Sequence, residues 1–387
     1  MPKSLDSHYT ATSSTLMKTH YLKTKVYNEP TLKALHLVRI SAILDYPMEV
    51  FFGFDTKYTE VYDVWFNGNH LLLVLIAIGT IAALYFGLHA KSKKGIIITK
   101  IVLASVLATF ELGRYIYYYF YNAHLGIGFD WLGMIPFSMC GIMSITTSVI
   151  LFVSAFKKKQ GPTMQLFFNI LFGCALWGGV LTFAFPSMLT LDRSLFHWLN
   201  FQTIIVHILL ILVPAYLVKI GDLEVRLRNI WMVSIGYLAI GIITMTGSQI
   251  TGDNFANALV IDMVQGWNIS IPFPWHLPPL LAAMLVVPTI YYALFELVHR
   301  RKNKQAKKPD VFINKKYNTL CLISLIGGYA ASVALLLLIP SLFNAVPVGN
   351  ALGLLCLIPL AVLAASLIAG RKFRKAALKV DVGGKQV

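Results

Sequence analysis

The chain is 387 residues long, 57% hydrophobic and only 13% charged, with a mean hydropathy of +0.68. Soluble domains are about a quarter charged, so a soluble globular fold is excluded. The net charge of +16 resides in short Lys/Arg clusters between apolar runs, which is the pattern of cytoplasmic loops and not of a nucleic-acid surface.

Residues 1–30 are polar and rich in Ser, Thr and Lys, lack the charged-then-apolar plan of a signal peptide, and are expected to be disordered. From Thr31 to Phe52 apolar residues are interrupted by Arg39, Asp45 and Glu49, which predicts an amphipathic interfacial helix broken near Pro47. Tyr58, Tyr62 and Trp65 suit a headgroup-level belt, and the lead-in extends to residue 69.

Runs of roughly 18–25 apolar residues then follow, each long enough to cross a ~30 Å hydrocarbon core. The predicted fold class is an all-α membrane protein, a polytopic bundle of about nine transmembrane helices: 70–90, 96–119, 132–156, 164–186, 200–219, 229–248, 276–298, 318–340 and 349–370. The organisation expected is a seven-helix core over 70–298, a basic linker over 299–317, two additional helices over 318–370 and a basic tail over 371–387.

Odd-numbered connections are basic: Lys91, Lys93 and Lys94; Lys157 to Lys159; Lys219, Arg226 and Arg228; Arg300 to Lys302; and Arg371 to Lys375. The even-numbered ones are poor in cations. The alternation predicts a cell-membrane protein with its C-terminus cytoplasmic and its N-terminus extracytoplasmic, although residues 1–39 themselves carry six cations. The outer loop from Thr251 to Trp275 is the longest of its kind, and long loops cap or line sites more often than short ones.

Cys140, Cys174, Cys321 and Cys356 all lie in apolar segments, without CxxC or Cys/His zinc spacing. No dinucleotide-binding glycine motif, P-loop or haem attachment motif is present, so no cofactor and no metal is expected. Counting from the predicted outer ends, Glu111, Cys140 and His207 each lie roughly 10–12 Å deep. Helical spacing adds polar stripes, Asn200, Thr203 and His207 on one span and Cys140, Ser144 and Thr147 on another, and a small-residue stripe of Cys174, Gly178 and Thr182 where backbones can approach closely. Ionisable groups inside spans are costly and mark functional sites by default. The blander readings are a Glu111–Arg114 ion pair one turn apart, a His207 that bonds a neighbouring helix, and a Cys140 that merely fills a gap.

Several short motifs keep one order along the chain. Phe66-Asn67-Gly68-Asn69-His70-Leu71 opens the first span, Glu111 lies in the second, and Ile135-Pro136-Phe137-Ser138-Met139-Cys140 begins the third. The glycine-bearing stretch Gly178 to Ser187, which includes Gly179, follows, then His207, Gly252-Asp253-Asn254-Phe255 and Pro274-Trp275-His276. From about Phe51 to Val298 the pattern resembles the YwaF-like family of bacterial integral membrane proteins, whose eukaryotic relatives are multi-pass acyltransferases acting on ether phospholipids. Departures are Ser138 where the family has histidine, and Phe185-Pro186-Ser187 where it has a Thr-Pro-Asp-like step.

The resemblance implies a lipid acyltransferase that moves a fatty acyl group between phospholipid and acceptor through a thioester. Its partners would be membrane phospholipids, not nucleic acid; protein partners are not indicated. Cys140 would be the nucleophile, His207 the base and Glu111 the group that orients or charge-balances it. His70, Ser138, Gly179, Asn254 and His276 are the expected substrate-binding residues, with Asn254 and His276 offering donors to the acyl oxyanion. The alternatives are a transporter or channel-like protein with a polar cavity lined by Glu111, Arg114, His70, His207 and Asn254, and a non-catalytic membrane scaffold.

Overall fold

A computed structural model describes residues 51–52, 68–88, 92–126, 128, 134–157, 160–184, 196–252, 260–263, 269–272, 275, 277–302, 315–344 and 354–383. The expected disorder of residues 1–30 and most of the predicted interfacial helix lie outside these residues; of that helix Phe51 and Phe52 are described, and both are helical.

In hydrocarbon a backbone has no water to bond, so the apolar runs become helices whose N–H and C=O groups satisfy one another. These are α1 (Gly68–Gly87), α2 (Lys93–His124), α3 (Met139–Ala155), α4 (Pro162–Ile170), α5 (Leu176–Ala184), α6 (Trp198–Lys219), α7 (Ile230–Thr251), α8 (Leu277–Lys302), α9 (Lys315–Asn344) and α10 (Ile358–Gly383). Helices α4 and α5 are one rod interrupted by a π-helical turn, Leu171–Ala175. Each predicted span overlaps an observed helix, but among the described residues only six helices are long and apolar enough to cross a membrane. Met139–Ala155, Val286–Leu297 and Ile326–Ile339 are shorter apolar helices. The expected count of nine spans is therefore not reached by that measure.

The predicted all-α class has one exception. The long loop after α7 carries an antiparallel hairpin, β1 (Val260–Met263) and β2 (Ile269–Pro272), with Ile261 opposite Ile271 and Asp262 opposite Ser270. Its β-branched residues stand in runs too short to resemble a membrane span.

Surface and core are inverted relative to a soluble protein. Leu72, Leu75, Phe86, Val149 and Leu294 are exposed, as side chains facing lipid must be, whereas His70, Lys100, Glu111, Asn169 and His207 are buried. Helix α6 is the hub: Val206, Leu210, Val213 and Leu217 recur at offsets of three and four and are almost wholly enclosed. Around it, α2 pairs with α3, where Ser148 Oγ donates to the Ala104 carbonyl at 2.7 Å. Helices α9 and α10 run antiparallel, with Ser332 Oγ bonding Pro359 O and Ser324 Oγ bonding Ser366 O. Leu336, Ile339 and Leu363 of that pair meet Ile235, Leu238 and Ile242 of α7.

Polar bonds lock the end of the bundle that carries the start of α2 and the end of α6. Lys100 of α2 is 3% exposed and ion-paired with Asp222 in the turn after α6. Lys219 Nζ donates to the Tyr85 and Leu88 carbonyls at the end of α1. Gln165 Nε2 reaches Asp222 O at 2.5 Å, and Glu296 of α8 accepts from Leu227 N at 2.7 Å. Midway along the bundle, the π turn disturbs the regular hydrogen-bond ladder. Hydroxyls complete the bonding there: Gly173 O accepts from Tyr291 (2.7 Å) and Tyr237 (3.1 Å), while Tyr292 bonds Asn169 Oδ1 at 2.9 Å.

Candidate active site

Helix α3 starts seven residues later than residue 132, the predicted start of the third span. Proline has no N–H and disfavours helical backbone in the residue before it, so Pro136 and Ile135 delay the helix. Ser138, at φ −69° and ψ 147°, is its N-cap, and its Oγ accepts from Gly141 N at 3.2 Å. Just before the cap, Phe137 is 7% exposed and fits against Gly247 of α7, so the chain enters the bundle as non-helical backbone anchored by a buried Phe137. Cys140 consequently sits in the first turn of α3, not two turns inside it. It lies where backbone N–H groups lack intrahelical partners and the helix dipole favours negative charge.

The thiol faces α5 and α6. An ideal Cβ on Gly178 of α5 would lie 3.9 Å from its Sγ. Thr182 Oγ1, one turn further along α5, bonds Gly178 O at 3.1 Å and interacts with the thiol. His207 of α6, 6% exposed, interacts with it directly. The imidazole is held by Nδ1, which lies 2.6 Å from the Thr203 carbonyl oxygen one turn earlier. A carbonyl only accepts, so Nδ1 carries the proton and the neutral ring keeps its lone pair on Nε2. That Nε2 is buried and makes no hydrogen bond of standard geometry.

Beside this pair lies a charged cluster. Glu111 of α2, 4% exposed, is ion-paired with Arg114 and accepts from Ser144 Oγ of α3 at 2.9 Å. The Arg114 guanidinium lies over the Tyr115 ring, 5.0 Å from its centroid, and its Nη2 would be 3.4 Å from a Cβ on Gly141. Its Nε is buried without a hydrogen-bond partner. The ion pair of the bland reading is therefore present, and it borders the thiol. Glu111 acts on His207 only through charge, because the Thr203 carbonyl occupies the orienting position that sequence reasoning gave to Glu111.

The depth count that grouped Glu111, Cys140 and His207 rested on helix ends that lie elsewhere. Helix α2 continues to His124, which puts Glu111 roughly 20 Å from its terminus, whereas Cys140 sits at the very start of α3. The three share one site because the start of α3 dips inward, not because the helix ends are level.

The expected substrate-binding residues divide. Ser138 caps α3 beside the thiol. His70 is 3% exposed and its Nε2 bonds Phe183 O at 2.8 Å, strapping α1 to α5. Gly179 marks a close crossing: a Cβ there would stand 2.6 Å from Ile211 Cγ1 and 3.0 Å from the His207 carbonyl oxygen. Asn254 and His276 lie outside the described residues. Two contacts escaped sequence reasoning, the Thr203 carbonyl and the Thr182 hydroxyl. Each sits four residues from a partner, but helix spacing alone does not say which faces meet. Among the described residues no group of three or more His, Cys, Asp or Glu is placed to hold a metal ion, and Cys140, Cys174 and Cys356 are free thiols.

A family model described as the TMEM164 family, a multi-pass membrane family, matches residues 65–299, which take in α1 to α7, the hairpin and nearly all of α8. That is not the YwaF-like name expected from the motifs, although the matched stretch nearly coincides with theirs. No curated protein and no solved structure matches the chain. A family match over more than half of the chain, on a bundle whose apolar surface faces outward, identifies this protein as a polytopic helical membrane protein of the TMEM164 family.

Proposed function

We propose that the chain is a membrane-embedded cysteine–histidine acyltransferase that moves a fatty acyl group from phospholipid to an acceptor through a thioester on Cys140. The observation that carries this reading is the His207 ring. Its Nδ1 is fixed by the Thr203 carbonyl, so a neutral Nε2 is left buried and without a well-formed hydrogen bond beside the thiol. A half-buried thiol in apolar surroundings is a poor nucleophile without such a base.

The chemistry follows from these positions. Nε2 takes the thiol proton, and the sulfur lone pair bonds to the acyl carbon of a phospholipid ester. The carbonyl π pair moves to oxygen and then returns, the carbon–oxygen bond breaks, and the leaving alkoxide takes the proton from the imidazolium as lysophospholipid. An acceptor hydroxyl or amine, deprotonated by the same Nε2, attacks the thioester and releases the thiol. Glu111 balances the imidazolium charge at a distance, and Ser138 fixes the turn that carries the nucleophile.

The site would face the outer leaflet. Lys100, Lys219 and Arg226 gather at the other end of the bundle, which supports a cytoplasmic assignment for that end and for the C-terminus. The test is acyl exchange by the purified protein in vesicles containing acyl-labelled phospholipid. Cys140→Ala and His207→Ala should each abolish exchange, and exchange unchanged in both would overturn the reading.

One observation favours a second reading. A non-helical entry into α3 and a π turn in the α4–α5 rod are interruptions of the kind that transporters build around substrate sites. Flux of a labelled solute into proteoliposomes, sensitive to Glu111→Gln but not to Cys140→Ser, would support transport instead.

A further inference from the structure

Acyl transfer at a thiol needs a hydrogen-bond donor for the oxygen that becomes negative, and the loop residues Asn254 and His276 are not the only candidates. The charged cluster holds one inside the bundle. Arg114 commits Nη2 to Glu111 and Tyr115, while its Nε is buried and has no partner. An unbonded buried donor costs free energy unless a ligand atom completes it. The same guanidinium packs beside Gly141, the residue after the nucleophile, at the N-terminal turn of α3.

Resting on the acyltransferase reading, we infer that Arg114 is an oxyanion-stabilising residue. In this assignment its Nε–H, together with the first-turn N–H of Cys140, receives the acyl carbonyl oxygen as the Cys140 sulfur attacks the carbon; the Gly141 N–H is held by Ser138 Oγ. Charge decides between this role and that of a phosphate anchor. Glu111 already neutralises Arg114, so a full phosphate anion would meet a carboxylate ion-paired to the same guanidinium. A carbonyl oxygen is neutral on arrival and acquires charge only in the transition state, which is the case that a neutral, preorganised dipole pair serves well. The arrangement also explains why Ser144 holds the far oxygen of Glu111: it keeps the carboxylate on Arg114 and off the imidazole.

The test compares two reactions of the purified full-length protein in detergent. Acylation of Cys140 by p-nitrophenyl octanoate passes through an oxyanion, whereas alkylation by iodoacetamide does not. Arg114→Lys keeps the charge but lacks the Nε–H, so acylation should fall about 10²- to 10³-fold while alkylation stays at the wild-type rate. Acylation at the wild-type rate, or loss of both reactions together, overturns the inference; the second result would make Arg114 a positioning residue. A wild-type protein that alkylates but never acylates overturns both the inference and the acyltransferase reading. Phospholipid exchange that depends on Cys140 and His207 but survives Arg114→Lys overturns the inference alone. Should Arg114→Lys fail to fold, the wild type decides, because sulfur accepts hydrogen bonds poorly. An oxygen ester must then outpace its thiono analogue by more than it does with free cysteine, and an equal ratio overturns the assignment.

Discussion

Gly179 offers the sharpest structural test of the site. Replacing it with alanine adds one methyl group where α5 crosses α6. The new Cβ would stand 2.6 Å from Ile211 Cγ1 and 3.0 Å from the carbonyl oxygen of His207. Saturated carbons rest about 3.5–4.0 Å apart, so about 1 Å is missing on the side-chain contact. Ile211 can turn away in part, but the His207 carbonyl is helix backbone and cannot. The helices must separate by a few tenths of an ångström or more, at the turn that carries the proposed base. Overpacking of this kind costs roughly 1–3 kcal/mol, and a shift approaching 1 Å in a reacting pair lowers rates about 10²-fold. Gly179→Ala should therefore lower the unfolding temperature in detergent and slow iodoacetamide alkylation of Cys140 by roughly 10- to 100-fold. A variant with wild-type stability and wild-type alkylation would refute the claim that this crossing sets the position of His207.

Other expectations concern the frame around the site. Tyr291→Phe removes the 2.7 Å bond to Gly173 O and should cost about 1 kcal/mol. Adding Tyr237→Phe strips the remaining hydroxyl from that carbonyl, so the double variant should lose more than the sum of the two; strictly additive losses in thermal unfolding would argue against a shared acceptor. Asp222→Asn leaves Lys100 charged at 3% exposure and should destabilise by about 3 kcal/mol, whereas Lys100→Met with Asp222→Leu should recover most of that. His70→Gln, which keeps a donor for Phe183 O, should retain the stability that His70→Ala loses, with little change in Cys140 alkylation. A selective loss of lipid turnover in His70→Gln would support the substrate-binding role expected for that residue.

The helical class and the helix positions were legible because membranes make hydropathy nearly decisive: a long apolar run can satisfy its backbone only as a helix. Helix ends were less legible. Pro136 and Ser138 both stand in the sequence as breaker and cap, yet the apolar residues around them read as part of the span, so Cys140 reads as lying about two turns along its helix when it lies in the first turn. The hairpin at 260–272 was missed because its strands are only four residues long. Of the candidate site, Cys140, His207 and Glu111 stand out in the sequence by chemistry, since ionisable groups in an apolar run are conspicuous. What holds them was not legible. The Thr203 carbonyl is backbone, which composition cannot reveal, and the Arg114–Ser144 bracket around Glu111 depends on α2 and α3 facing each other. His70 and Gly179 illustrate the converse, because residues conspicuous as motif members serve in the structure to join helices.

The central claim is that Cys140 carries the acyl group and His207 delivers it. Incubating the purified protein with acyl-labelled phospholipid and mapping the label by peptide mass spectrometry tests this directly. A hydroxylamine-cleavable acyl mass is expected on the peptide containing Cys140, present in wild type and lost in His207→Ala. Acyl exchange that proceeds with no acyl group on Cys140, or equal loading of that cysteine in His207→Ala, would contradict it.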